Sequence, residues 1–143
     1  KNNINLGNIL KEVIDNLSFA YPKQKMNYNS SEIYINSDEA LLKLLFKNLI
    51  ENAIKYGNNN PVNVVLEKEK KIKVVIEDFG IGMSKEALPH IFDRFYREDE
   101  ARNREIKSYG LGLSIVKEII TLLDIDIQVE SQIDKGTKIT LLF

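Results

Sequence analysis

Three clusters in this 143-residue chain have residue types and spacings that can do chemistry. The first lies between Ser37 and Tyr56. Leu42, Leu45, Phe46, Leu49 and Ala53 share one apolar arc there at 100° per residue, and Asn48, Asn52 and Lys55 fall within roughly 60° of one another beside it. An unpaired amide next to a buried stripe costs about 1–3 kcal/mol, so these side chains need partners. Two amide oxygens one helical turn apart suit a hydrated Mg²⁺, which takes oxygen ligands and keeps several waters. Lys55, a turn further on, adds a charge for a phosphate. Taken alone, the segment leaves equally open that both amides face water at the helix margin.

The second cluster is Asp78-Phe79-Gly80-Ile81-Gly82-Met83, directly after an apolar alternating run. Two glycines in three residues permit positive φ and close approach of a ligand to backbone. An ionised Asp78 only accepts hydrogen bonds, so at a buried strand end it requires an N–H donor, and an exocyclic amine of adenine is one. A Gly-rich turn with a solvated Asp is the plainer alternative. The third cluster is Tyr109-Gly110-Leu111-Gly112-Leu113, opening a helical pattern. Amide N–H groups at such a helix start point outward, and the dipole favours an anion such as a triphosphate. The polar run from Arg97 to Lys107 before it has Ile106 as its one large apolar residue, so it is expected to be mobile, as a lid or a surface loop. His90, the only histidine, has no adjacent acidic helical motif and is read as a structural or surface residue.

The elements that must position these clusters follow from periodicity. Ile9, Leu10, Val13, Ile14 and Leu17 have helical spacing, and Pro22 ends or follows that helix. Met26 to Tyr28 and Ile33 to Asn36 are expected as short strands. Ser37 is the expected N-cap of the next helix, with Asp38 and Glu39 in its first turn. Gly57-Asn58-Asn59-Asn60-Pro61 stops that helix. Val62 to Glu67 and Ile72 to Asp78 predict a hairpin around Lys68 to Lys71. Ser84 is expected to cap a short helix through Leu88. A helix from Leu111 to Leu123 and strands Ile125 to Glu130 and Thr137 to Phe143, joined at Lys135-Gly136, complete the chain. The expected fold class is α/β (α+β): a two-layer sandwich of a mixed, mostly antiparallel sheet against about three helices.

Composition excludes several classes. The 16.4 kDa chain is 43% hydrophobic and 29% charged, which suits one globular domain. Its 20 basic and 21 acidic residues give a net charge of −1, without the positive excess of a general nucleic-acid binder. The absence of Cys rules out thiolate sites, disulfides and Cys nucleophiles, and a single His rules out His-rich metal centres. The apolar runs fall well short of a bilayer span, so no direct membrane contact is expected. Because the chain opens on Lys1, it is expected to be a piece of something longer.

In order and spacing the clusters resemble the motifs of bacterial two-component sensor histidine kinases, in their catalytic and ATP-binding domain. Asn48-Leu-Ile-Glu-Asn52-Ala-Ile-Lys55-Tyr56 resembles the N box, and Asp78-Phe-Gly80-Ile-Gly82-Met the first glycine box. Ile91-Phe92-Asp-Arg94-Phe95-Tyr96-Arg97 is similar to the F box. Gly110-Leu111-Gly112-Leu113 is similar to the second glycine box, and Gly136-Thr137 to the small motif before the last strand. The match runs from about Asn36 to Phe143 and is looser before it. The family belongs to the ATPase superfamily of gyrase and heat-shock chaperones.

The resemblance implies ATP and Mg²⁺ as cofactors, with Asn52 on the metal and Asn48 supporting it. Lys55 and Arg97 would contact phosphates; Tyr56 and Tyr96 would line the nucleotide, and Asp78, helped by Gly82, would accept from the adenine amine. Ile91, Gly80, Leu111, Leu113 and Thr137 complete the implied nucleotide contacts, with Gly110 and Gly112 against the phosphates and residues 94–109 as the lid. In hydrolysing relatives a Glu precedes the metal-binding Asn by one turn; Asn48 stands there and cannot take a proton from water. Phosphotransfer is therefore the implied reaction. Its acceptor would be a His on an upstream dimerisation domain, in a cytosolic, membrane-anchored homodimer that feeds a response regulator. Two departures stand out: Ser108 replaces a usual glycine, and Asp124-Ile125 replaces a usual glycine pair, so that turn is expected to differ. The competing readings are a related Ser protein kinase and a non-catalytic ATP-binding switch.

Overall fold

The computed structural model describes residues 2–93 and 109–143, with side chains from 113 onward in the second stretch. Strand β1 (Asn2–Asn5) leads into α1 (Leu6–Ala20), followed by β2 (Met26–Asn29) and β3 (Tyr34–Ser37). Helix α2 (Glu39–Lys55) precedes the hairpin β4 (Val62–Lys68) and β5 (Ile72–Asp78); α3 (Tyr109–Leu123), β6 (Asp126–Gln132) and β7 (Gly136–Leu142) follow. Five strands form one sheet in the order β2-β4-β5-β7-β6, and β1 pairs with β3 in a separate two-stranded sheet. Only the β2–β4 pair of the larger sheet is parallel. The expected two-layer, mostly antiparallel sandwich is therefore what forms.

Its core lies between the helices and one sheet face. Period-two alternation places Val62, Val64 and Leu66 of β4 beside Val74 and Ile76 of β5, and Ile139 and Leu141 of β7 on that same face. Helix α2 packs against both α1 and α3. Its buried Leu42, Leu45, Phe46, Leu49 and Ile50 are all wholly inaccessible. At about 1.5–3 kcal/mol per fully buried side chain, this stripe anchors α2 and fixes which of its edges reaches the margin. Asn48, Asn52 and Lys55 occupy that edge.

Some boundaries differ from the sequence expectation. Asp38, not Ser37, caps α2: its side chain accepts from Leu41 N–H at 3.0 Å, while Ser37 closes β3 opposite Asn2. A carboxylate at N-cap also gains from the helix dipole. Ser84 Oγ accepts from Ala87 N–H at 3.1 Å, but the segment forms turns and a 3₁₀ turn at Leu88–His90 rather than an α-helix. Pro89 has no N–H for the next turn. After α3, Asp124 takes φ +57°, and N–H bonds run from Asp124 to Thr121 O and from Ile125 to Ile120 O. That pair is a Schellman closure, which needs left-handed backbone at one position only. Asp supplies it, so Ile125 carries no strain and the turn forms without the glycine pair.

Candidate functional site

The C-terminal turn of α2, the loop after β5 and the β6–β7 turn converge at one end of the sheet. Ile81 N–H donates to Tyr56 O at 3.1 Å, and Asp134 N–H donates to Ile81 O at 2.8 Å. Asn60 Nδ2 holds Phe79 O at 2.8 Å. The glycines explain the tightness. A Cβ on Gly80 would lie 1.9 Å from Tyr56 O, and one on Gly82 1.9 Å from Gln132 O. Gly82 alone of the two needs positive φ, at +67°. Gly80 is required for close packing of the loop on α2 rather than for conformational freedom, which refines the sequence reading.

Asp78 sits at the end of β5 with 7% of its surface exposed. Its Oδ1 accepts from Gly80 N–H at 3.1 Å and from Thr137 N–H at 3.3 Å. Oδ2 has no partner among the described residues. Burial pushes the carboxyl up to about 6; the Gly80 and Thr137 bonds pull against that, and neighbouring Glu77 adds to it. The loop therefore holds a half-satisfied, acceptor-only group at a largely buried position.

On α2, Asn48 Nδ2 donates to Leu44 O at 2.9 Å, which ties its amine end to the helix and leaves the oxygen for a ligand. Asn52 Nδ2 is buried with no hydrogen-bond partner among the described residues. Such an orphan is costly unless a ligand satisfies it, and the broad two-fold χ2 of Asn lets the amide present either end. Lys55 is exposed and Tyr56 half-buried at the helix end. Glu51 accepts from Tyr21 OH at 2.9 Å, so the only acid on this turn is engaged with the end of α1 rather than beside Asn52.

The other proposed contacts divide. Thr137 adjoins Asp78 through its N–H. Ile91 and Leu113, 2% and 3% exposed, belong to the core and can only back the site from within. Gly110, Leu111 and Gly112 lie in the first turn of α3. Tyr96, Arg97, Ser108 and the lid segment before Tyr109 lie outside the described residues. His90 is exposed, as expected, but its Nδ1 is 3.1 Å from Asp93 Oδ2. The expectation that no carboxylate orients it is corrected: a 3₁₀ turn brings residues three apart together.

Sequence reasoning missed Ser131 and Asn60. Ser131 Oγ accepts from Met83 N–H at 2.8 Å and contacts Gly136 O and Thr137 Oγ1 at 3.0 and 2.8 Å. Counting register across the tight turn at Asp134, where φ is +65°, would have placed Ser131 opposite Thr137.

Residues 37–143 match the family model described as histidine kinase-, DNA gyrase B-, and HSP90-like ATPase. Sensor histidine kinase YkoH of Bacillus subtilis is 35% identical over 98% of this chain, and the chain spans 31% of that protein's length. The mycobacterial sensor histidine kinase MprB superposes with a TM-score of 0.86 at 20% identity, covering 99% of this chain and 95% of that one. Full-length ShkA, solved in complex with AMPPNP, gives 0.80 at 20% identity over 98% of this chain and 30% of ShkA. At those identities the two structures speak to the fold.

Proposed function

The chain belongs to the histidine kinase-, DNA gyrase B- and HSP90-like ATPase family, and from that premise we propose that it is the ATP·Mg²⁺-binding catalytic domain of a sensor histidine kinase. The observation that carries this reading is Asp78: a buried carboxylate with one oxygen committed to two backbone N–H groups and the other oxygen left for a donor. The exocyclic amine of adenine is such a donor. ShkA, a neighbour in fold, was solved with an ATP analogue, and YkoH is named a sensor histidine kinase.

The residues present fit both cofactors. Asn48, with its free oxygen, and Asn52, with its amide turned to present the oxygen, would hold the metal and its waters on the edge of α2, while the Asn52 NH₂ needs an acceptor such as a phosphate oxygen or water. Lys55 and Arg97 would neutralise phosphate charge, with the amides at the start of α3 around Gly110 and Gly112 adding donors. Tyr56 and Tyr96 would flank the base, and Gly80 and Gly82 hold the loop that carries Asp78. Bound ATP supplies the phosphoryl group, and Mg²⁺ neutralises the charge that develops as it moves. The chain's own contribution is positioning. With Asn48 one turn before Asn52 and Glu51 held by Tyr21, no carboxylate on this turn is placed to take a proton from water. Transfer to an acceptor imidazole is favoured over hydrolysis.

That acceptor would be a His on a dimerisation domain upstream, which passes the phosphoryl group to a response regulator. We place this domain on the cytosolic side of a membrane-anchored homodimer; no described helix is long and apolar enough to cross a membrane itself. The test is labelling with γ-phosphate-tagged ATP and Mg²⁺, with and without a His-bearing dimerisation segment. Acid-labile label should appear on the added segment alone. Acid-stable label on that segment points to Ser and refutes the reading. Acid-labile label on the isolated chain, abolished by His90→Gln, would overturn the placement of the acceptor.

A further inference from the structure

Asp78, Thr137 and Ser131 stand side by side on three adjacent strands. The β5–β7 register pairs Asp78 with Thr137, and the β6–β7 register pairs Thr137 with Ser131. Residues paired in register share a face, so the three form one row across β5, β7 and β6. Ser131 Oγ is the hub of that row. It takes the Met83 N–H at 2.8 Å, reaches Gly136 O at 3.0 Å and meets Thr137 Oγ1 at 2.8 Å.

A hydroxyl has one proton and two lone pairs. Gly136 O accepts only, so the Ser131 proton goes there, and Met83 N–H occupies one lone pair. What remains toward Thr137 is an acceptor, so the Thr137 hydroxyl must donate to Ser131. Its proton is then spent, and toward any ligand Thr137 Oγ1 accepts only, as Asp78 does. The same contacts fix the Gly136–Thr137 backbone, whose N–H bonds Asp78 Oδ1. A Cβ on Gly136 would lie 2.1 Å from Asp78 O, so the two strands have no slack at this point.

We propose that Ser131 is a positioning residue for base selection: it holds the Thr137 amide on Asp78 and makes the Thr137 hydroxyl an acceptor, so that this wall selects nucleobases bearing an amino group. The proposal rests on the reading of this chain as an ATP-binding domain. It extends selection beyond Asp78 to a residue that touches no ligand.

The experiment compares calorimetric affinities of the full chain for ATP and for inosine triphosphate, which carries a keto oxygen in place of the adenine amine. Ser131→Ala removes the hub. It should weaken ATP binding by about 3- to 10-fold, the loss expected for one neutral hydrogen bond, and inosine triphosphate binding by less than about 2-fold. In an Asp78→Ala background the added Ser131→Ala change should cost ATP binding less than about 2-fold, because its effect runs through Asp78. Thermal unfolding reports whether each variant folds. Should Ser131→Ala not fold, Ser131→Cys, with a weaker hydrogen-bonding group of similar size, reads the same ratio. Equal losses for both nucleotides, no loss in a folded variant, or full additivity with Asp78→Ala would each overturn the assignment. A parent chain that binds no ATP overturns the ATP-binding reading itself, and this proposal with it. ATP binding that depends on Asp78 but not on Ser131 overturns this proposal alone.

Discussion

Replacing Asp78 by Asn should make the chain more stable and a worse ATP binder at once. The carboxyl titrates near 6 in the fold against 3.8 in an exposed chain. Holding it ionised at neutral pH therefore costs on the order of 3 kcal/mol, at roughly 1.4 kcal/mol per pH unit of displacement. Asn keeps the shape and an oxygen for the Gly80 and Thr137 N–H groups, and removes that charge. Its new NH₂ has no partner among the described residues, which takes back about 1 kcal/mol. The expected net gain is about 1–2 kcal/mol, or a melting temperature higher by roughly 3–6 °C at pH 7.5 for a domain of this size. The sign follows from linkage: a carboxyl whose folded pKa is raised binds its proton more tightly in the native state. Its contribution is complete below about 3.8 and lost as pH rises through about 6. Wild type should therefore gain on the variant as pH falls across that window, and the advantage of Asp78→Asn should vanish between about pH 4 and 5 and reverse below it. ATP affinity should fall about 10- to 150-fold, the range for losing a charge-assisted bond, because an amide donor would now face the adenine amine. In wild type, affinity should fall as pH drops through about 6. Differential scanning calorimetry from pH 4 to 8 and nucleotide titration check both halves. A pH-independent stability difference, or unchanged ATP affinity in the folded variant, would refute the account of Asp78.

Asn52→Ala should lower Mg²⁺-dependent phosphotransfer to a His-bearing domain more than it lowers nucleotide binding, since its amide is assigned to the metal; normal transfer would remove it from the site. The same change deletes a buried orphan amide, so its cost to stability in the absence of nucleotide should be under about 1 kcal/mol by thermal unfolding. Gly80→Ala drives a methyl to within 1.9 Å of Tyr56 O and breaks the Ile81-to-Tyr56 bond. Chemical denaturation should show a loss of about 2–4 kcal/mol, accompanied by weaker ATP binding.

Much of the fold was legible because it rests on local periodicity. The 3.6-residue stripe of α2 and the period-two runs of β4 and β5 depend on which residues are apolar, and those positions are buried as expected. The cap of α2 was misplaced by one residue because Ser37 and Asp38 are both good caps. Pairing of β3 with β1, a long-range event, decided between them. The short helix expected after Ser84 closes a single helical bond, Leu88 N–H to Ser84 O at 3.3 Å, and goes no further, since Pro89 has no N–H to extend it. His90 gained a partner, Asp93, because the chain turns at His90, where Asp93 N–H bonds His90 O, and this turn was not predicted past Leu88.

The candidate site divides along the same line. Residue types and order alone determined that Asn48, Asn52 and Lys55 share an edge, that Asp78 ends a strand before a glycine loop, and that the ensemble resembles a nucleotide-binding kinase domain. These are properties of single elements, set by helical and strand periods. Tertiary structure decided the rest. It set which Asp78 oxygen is committed and how far burial raises its pKa, and it made Gly80 a packing glycine and Gly82 a conformational one. It also brought Ser131 into the site through Thr137. Ser131 and Thr137 pair locally across the β6–β7 turn, but the other contacts depend on segments far apart in the chain meeting within about 3 Å, as Asp78 and Thr137 do across 59 residues. Register and close packing fix such contacts once the core has assembled, and no local pattern encodes them.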